Sequence, residues 1–387
     1  MAAGARSTDR SARWGWVLLP LAVLILYAPT LPYGFVWDDV PLIVENRMLS
    51  PENASLLWRS PFWQLAPGAP PEYDVGYFRP LAAWSYFLER SAFGARSALP
   101  YHATNLVLYL GTVLLAWRLL RRWLGDERWS LVSALLFAVH PMHIESVTFI
   151  SGRTDLLAGV FILGAALLHS RPRAALDGRA VAGIAACGLA GLLSKETGLL
   201  VVPLLLAIDR WHHRLTLRRL LAERWSVYAA VAAVTIGFLI WRQAAIGYWL
   251  APAAAAVPAI DRGFLVPYTL SRYLVLTFFP YTHNALYNLA DWTPGFTPAF
   301  GTSLVILAAF VAVVLVVRRG RGLALGLTLW GLFLLPVSNV LSIRAAFLAE
   351  RFLFLPVLGG VCCGRCCSAA AGGAAPDGPR PPRASWP

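Results

Sequence analysis

The sequence predicts an all-α, polytopic helical membrane protein with about ten transmembrane helices. Three observations carry this expectation. The 387-residue chain is 58% hydrophobic, and only 14% of its residues are charged, against roughly 25% in an ordinary soluble domain. Its mean hydropathy is +0.60. Uncharged stretches recur along the whole length, many of them near the 20 or so residues that cross a bilayer as a helix. Disorder, a fibrous repeat and a soluble globular enzyme are excluded on composition. Alternating strands of about ten residues, the mark of an outer-membrane barrel, are not seen.

The elements follow in order. Residues 14–37 are 24 uncharged residues, enough for one crossing. A basic stretch, Arg6 to Arg13, precedes them and keeps the N-terminus cytoplasmic. No small-residue cleavage site follows, so this is read as an uncleaved first span. A first external loop of about 33–101 comes next. It is too polar to span, and its Trp and Tyr residues suit the membrane interface. Spans are expected at about 102–118, 129–142 and 154–170. Residues 180–208 form a 29-residue stretch with Lys195-Glu196 at the middle. Two crossings with that pair at an external turn keep both flanking basic loops inside. Further spans are expected at about 225–247, 299–317 and 323–341, with a last apolar piece at 352–363. Segment 264–280 is read as interfacial or re-entrant. One membrane domain, 1–363, is followed by a Gly/Ala/Pro/Arg-rich tail, 364–387, that is expected to be disordered.

The net charge of +13 would suggest nucleic acid in a soluble protein. Here the arginines sit in short loops between apolar spans, which is the positive-inside pattern. No nucleic-acid partner is expected; membrane lipids are. Arg, Ala, Gly and Pro richness suggests a GC-rich genome, and of 33 basic residues only Lys195 is a lysine. Cys187 stands alone, and Cys362, Cys363, Cys366 and Cys367 crowd together near the end. No disulfide framework can be read from them. Cys363-x-x-Cys366 lacks the second pair of a zinc site.

Ionisable residues gathered on one side of a membrane need an explanation. Four clusters fall on the external side. Asp38-Asp39 directly follows the first span; paired carboxylates there are either interface charges or suited to metal binding or general-base work. His140-Pro141-Met142-His143-Ile144-Glu145 matches no standard zinc spacing. It fits general-base work or the binding of a substrate hydroxyl better. Gly152-Arg153-Thr154-Asp155 is compatible with a helix cap or, through Arg153, with a phosphate. Ser194-Lys195-Glu196 is either a salt bridge at a turn or a cation beside a phosphate leaving group. Glu350-Arg351 adds a further pair. Together they suit a lipid-linked phosphosugar: carboxylates for hydroxyls, cations for the departing phosphate.

Taken in order, several short motifs resemble the TMTC protein O-mannosyltransferases and their bacterial relatives. They begin with Gly34-Phe35-Val36-Trp37-Asp38-Asp39, Asn46, Phe78-Arg79-Pro80-Leu81 and Tyr101-His102-Ala103-Thr104-Asn105. The segments 140–147, Gly152-Arg153-Thr154-Asp155 and Ser194-Lys195-Glu196-Thr197-Gly198 continue the series. Pro336-Val337-Ser338-Asn339 and the segment 350–356 complete it. The resemblance implies a GT-C integral-membrane glycosyltransferase, here without the tetratricopeptide repeats that usually follow. It implies a polyprenyl-phosphate sugar donor, often mannose, and action on the extracytoplasmic side. It also implies that an acid of the first external loop is catalytic, which falls on Asp38 or Asp39, with Glu145 as a second external acid.

The expected function is therefore transfer of a sugar to an extracytoplasmic hydroxyl with inversion, in a bacterial inner membrane with the site facing the periplasm. The acceptor is a protein, a glycan or a lipid. Asp38, Asp39 and Glu145 are the candidate catalytic residues. Arg79, His140, His143, Arg153, Asp155, Lys195, Glu196, Glu350 and Arg351 are the candidates for substrate binding. Mg or Mn at the acid pair is left open. The alternatives are a transporter or flippase for a lipid-linked sugar, or an inactive truncated relative.

Overall fold

The computed structural model describes residues 2–71, 76–172, 176–249, 259–284, 286–287, 292–317, 321–340 and 347–371. Among these the chain is all-helical, with no strand. The first helices are α1 (Ala2–Tyr27), α2 (Pro80–Phe93), α3 (Leu99–Leu124), α4 (Glu127–Ala138), α5 (Ile144–Thr148) and α6 (Arg153–His169). They are followed by α7 (Gly178–Ser194), α8 (Val201–Ala207), α9 (Leu217–Glu223) and α10 (Trp225–Ile246). The last are α11 (Ala259–Phe278), α12 (Pro298–Val317), α13 (Arg321–Leu334) and α14 (Pro356–Ala371). The helix α14 runs past the expected domain boundary at 363; residues 372–387 of the tail lie outside the described residues.

Five stretches are long and apolar enough to cross a membrane: Arg13–Thr30, Leu99–Leu124, Ile150–His169, Trp225–Ile246 and Pro298–Val316. A sixth is made if α4 and the segment Pro141–Thr148 count as one span bent by 53°. About ten were expected; several expected spans are shorter apolar helices, Gly178–Ser194 and Gly322–Val337 among them, and two apolar runs are broken. Pro141 supplies no N–H and forces His140 into an extended conformation, which ends α4. Lys195 is likewise extended, at φ −161° and ψ 152°. It cuts the 29-residue run into α7, of 17 residues, and α8, of seven.

The core forms where α1, α3, α4, α6, α7, α13 and α14 pack together. Tyr109, Val113, Trp117, Ala134, Phe137, Leu156, Ile162, Leu329 and Phe354 are among its fully or nearly fully buried members. Hydrogen bonds show that α3 and α6 run parallel. Near the start of each helix, Arg153 Nε donates to Asn105 Oδ1 at 2.9 Å. Near their far ends, Trp123 Nε1 donates to Ser170 Oγ at 3.1 Å. The bundle therefore has two ends, separated by the roughly 25 Å length of α6. The motif-bearing acids gather at the first end. The arginine-rich loops, with the starts of α4, α7 and α10, gather at the second. Capping fits this arrangement: Asp126 accepts from the Trp129 amide to start α4, and Asp177 accepts from the Ala180 amide to start α7. Gly125, at φ +63°, ends α3 in the left-handed conformation.

Candidate active site

The two acids after α1 look alike in sequence and differ in structure. Asp39 is fully buried. Its Oδ1 accepts from the Ser151 amide at 2.8 Å and its Oδ2 from the Val36 amide at 3.2 Å. It therefore fastens the first loop to the turn that precedes α6. Burial raises its pKa from the ordinary carboxylate value to about 6, against the lowering effect of those amides. Asp38 is half-buried, and among the described residues its carboxylate makes no hydrogen bond or ion pair. Burial raises its pKa as well, and the charge of Arg351 works against that rise. Just before them Trp37 lies at φ +46°, a left-handed conformation that is strained for a bulky residue. Its ring meets Phe149 edge-on, with centroids 6.3 Å apart.

Around this loop, three cations each hold a carboxylate. Lys195 Nζ lies 2.5 Å from Asp155 Oδ1, with side chains 11% and 9% exposed. Arg79 meets Glu196 through two nitrogens, Nη2 at 2.7 Å and Nε at 3.1 Å from Oε2. Arg351 Nη1 donates to Glu145 Oε1 at 2.9 Å, and the Arg351 amide donates to Glu145 Oε2 at 2.8 Å. The pairs come from distant segments but share one neighbourhood. The charge of Arg351 acts on Asp38, Glu145, Lys195 and Tyr77. The charges of Arg79 and Asp155 act on Lys195 and on each other. Burial lowers the Lys195 pKa, with Asp155 opposing. Glu196 is pushed up by burial, but Arg79 reverses this and leaves its carboxyl below the usual range. Three acids thus neutralise three cations, and Asp38 is the carboxylate left uncommitted. Asp155 Oδ2 is buried without a hydrogen-bond partner among the described residues, so it keeps acceptor capacity.

Two motif glycines set this geometry. A Cβ at Gly198 would lie 2.4 Å from the Leu192 nitrogen. Only glycine lets the chain fold back on α7 so soon after Lys195-Glu196. A Cβ at Gly152 would lie 2.6 Å from the Ser146 carbonyl oxygen, so glycine is what lets the turn before α6 touch α5.

Other expected site residues are committed elsewhere. Arg153 is fully buried. Its guanidinium donates to Asn105 Oδ1 at 2.9 Å, Glu89 Oε2 at 2.5 Å and the Tyr101 carbonyl at 2.9 Å. That network braces α2, α3 and α6, and it leaves no face of Arg153 for a phosphate. His143 is also fully buried, between the Tyr109 hydroxyl at 2.8 Å and the Phe354 carbonyl at 3.2 Å. His140 has its Nε2 on the Thr277 carbonyl at 3.0 Å, and its Nδ1 accepts from the Met142 amide at 3.3 Å. Both histidines join helices rather than reach the acids. Glu350 is buried and accepts from His283, Asn284 and Tyr287. It anchors the segment after α11 to the turn carrying Arg351.

Tyr77 was not singled out from sequence, yet Arg79 lies 4.1 Å over its ring. An isolated tyrosine in an aromatic loop gives no signal of that role. Among the described residues no group of three or more His, Cys, Asp or Glu is placed to hold a metal ion. Each oxygen of Asp39 already accepts from an amide, so this carboxylate is engaged in holding the loop.

The comparisons with known proteins agree with the motif order. Human protein O-mannosyl-transferase TMTC2 is 28% identical over 320 residues, 74% of this chain and 38% of that protein. Drosophila melanogaster Tmtc3 is 25% identical over 445 residues, 92% of this chain and 46% of that protein. Mouse TMTC3 is 33% identical over a shorter 159 residues, 40% of this chain and 17% of its own. The chain thus spans less than half the length of each. No family model and no solved structure matches. The chain is homologous to the TMTC protein O-mannosyl-transferases, the family its motifs resemble.

Proposed function

We propose that this chain is an integral-membrane glycosyltransferase that moves a sugar from a polyprenyl-phosphate donor to an acceptor hydroxyl, with inversion. The relatives' names favour mannose as the sugar and a protein as the acceptor. We read the fold as GT-C-like, with residues 1–363 as its domain and the shorter apolar helices raising the number of spans towards ten. The arginine-rich end faces the cytoplasm. The acid cluster then opens on the periplasmic side of a bacterial inner membrane.

The observation that carries this reading is the uncommitted carboxylate of Asp38 in the field of Arg351, whose charge also acts on Lys195, as does that of Arg79. Asp38 takes the proton of the acceptor hydroxyl. The oxygen attacks the anomeric carbon, and the bond from that carbon to the phosphate oxygen breaks. Its electron pair leaves with the polyprenyl phosphate, and positive charge develops on the sugar as in glycoside hydrolysis. Arg79, Lys195 and Arg351 stabilise the departing phosphate. Arg79 and Arg351 do so with planar guanidinium forks. Glu145 orients Arg351 and offers an acceptor to a sugar or substrate hydroxyl. Asp39 is a positioning residue, since its oxygens hold the loop.

The test is transfer of radiolabel from polyprenyl-phosphate mannose to membrane protein by the full chain. Asp38→Asn should lower the rate by about 10²–10⁴-fold with unchanged thermal stability. Asp39→Asn should lower stability and rate together. Full turnover by Asp38→Asn would reject the assignment.

A further inference from the structure

The end of the bundle opposite the acids carries its own unbalanced cluster. Arg118 and Arg122 stand four residues apart on α3, a like-charge spacing that weakens a helix. Arg122, in the last turn, reaches across to α6 and donates to the Leu167 carbonyl. Arg171 follows directly after α6, and the charges of both Arg171 and Arg118 bear on Arg122. The Arg122 charge in turn acts on the half-buried ring of His212. Trp123, bonded to Ser170, marks the same level, as tryptophans do at a membrane interface.

The acids of this end do not balance these charges. Asp126 and Asp177 cap α4 and α7, and Glu127 is 2.6 Å from Arg121. Asp209 is fully buried with His169 at 3.0 Å, Tyr228 at 2.7 Å and Arg224 at 3.7 Å. Among the described residues, Arg118, Arg122 and Arg171 have no carboxylate partner.

We propose that the surface where the ends of α3 and α6 meet binds the phosphodiester of an anionic membrane lipid, held by Arg122 together with Arg118 and Arg171. Arg118 and Arg171 both lie near enough to Arg122 for their charges to act on it, and a guanidinium fork matches the geometry of phosphate oxygens. Basic clefts between helices on the cytoplasmic side are where anionic head groups lodge. The lipid ties α3 to α6 some 25 Å from the acids, so this site is independent of the transfer reaction.

The experiment is native mass spectrometry of the full chain in neutral detergent. It is titrated with phosphatidylglycerol, with phosphatidylcholine of the same acyl chains, and with inorganic phosphate. Phosphatidylglycerol should be retained selectively. Arg118→Gln and Arg171→Gln, both exposed in the free chain, should each weaken retention by roughly fivefold. Arg128→Gln, an exposed arginine of the same end, should leave it unchanged. Equal retention of phosphatidylcholine would overturn the proposal, as would an equal loss in Arg128→Gln or no loss in Arg118→Gln and Arg171→Gln. Displacement of the lipid by millimolar inorganic phosphate would overturn the lipid as occupant. Should a variant be poorly folded, the selectivity of the unmodified chain between the two lipids still decides.

Discussion

The two ends of α6 hold carboxylates in opposite ways. At one end Asp209 is sealed in with His169, Arg224 and Tyr228. At the other, Asp155, Glu145 and Glu196 each hold one cation in side chains that keep 9–27% exposure, and Asp38 holds none. A network sealed from solvent is out of a substrate's reach. An open, nearly neutral one with a spare carboxylate and three cations is able to exchange its internal partners for a substrate's. The difference is one of access, not of residue type.

The sharpest way to break this comparison is to change one acid at each end. Asp38→Asn should cost about 10²–10⁴-fold in transfer with no change in Tm. Asp209→Asn should do the reverse. It leaves His169 and Arg224 buried without their anion and should cost about 3–5 kcal/mol of stability, read as a fall in Tm, with residual folded protein still active. If both variants lose only activity or only stability, the contrast between the ends is wrong.

A smaller effect tests how the open end is built. Gly198→Ala pushes a methyl group against the α7 backbone and should cost about 1–3 kcal/mol. Because Lys195 and Glu196 sit on the displaced turn, the KM for the donor should rise as well. A variant with lowered stability and unaltered KM would separate that turn from the substrate.

The smallest expected effect is a pH dependence. Asp39 titrates higher in the folded chain, near 6, than the roughly 3.9 of an unfolded aspartate. Between those values the native state holds the extra proton, so stability falls as pH rises from about 4 to about 6 and is then level. Measured against Asp39→Gln at each pH, the unmodified chain should lose relative Tm between pH 4.5 and pH 7. A relative gain over that interval would contradict the burial of this carboxyl.

Much of the scaffold was legible in the sequence because apolar runs and arginine clusters are local signals. The starts and ends of α6 and α10 follow them closely, α3 runs on past its expected end at 118 to Leu124, and the break at Lys195-Glu196 was read from charge placement alone. The number of full-length spans was not legible, since an apolar run does not tell a helix that crosses from shorter ones such as α7, of 17 residues, and α8, of seven. Nor was the division of labour among site residues. Asp38 and Asp39 differ only in whether amides at Val36 and Ser151 reach them, and the second lies 112 residues away. Arg153 looked like a phosphate ligand because its partners Glu89, Asn105 and Tyr101 are 48–64 residues distant. Long-range partners decide which charges are spoken for, and no spacing rule records them.

The twisted joint at Trp37 gives the first loop a built-in direction of failure. Its backbone would relax on returning to an ordinary extended geometry, and the two amides clasping Asp39 are what oppose that release. Should the clasp let go, the same rotation would shift the neighbouring carboxylate relative to Arg351, whose charge acts on it. Unlatching of the Ser151 amide, timed by hydrogen exchange, and loss of turnover on warming would then be one event seen by two instruments.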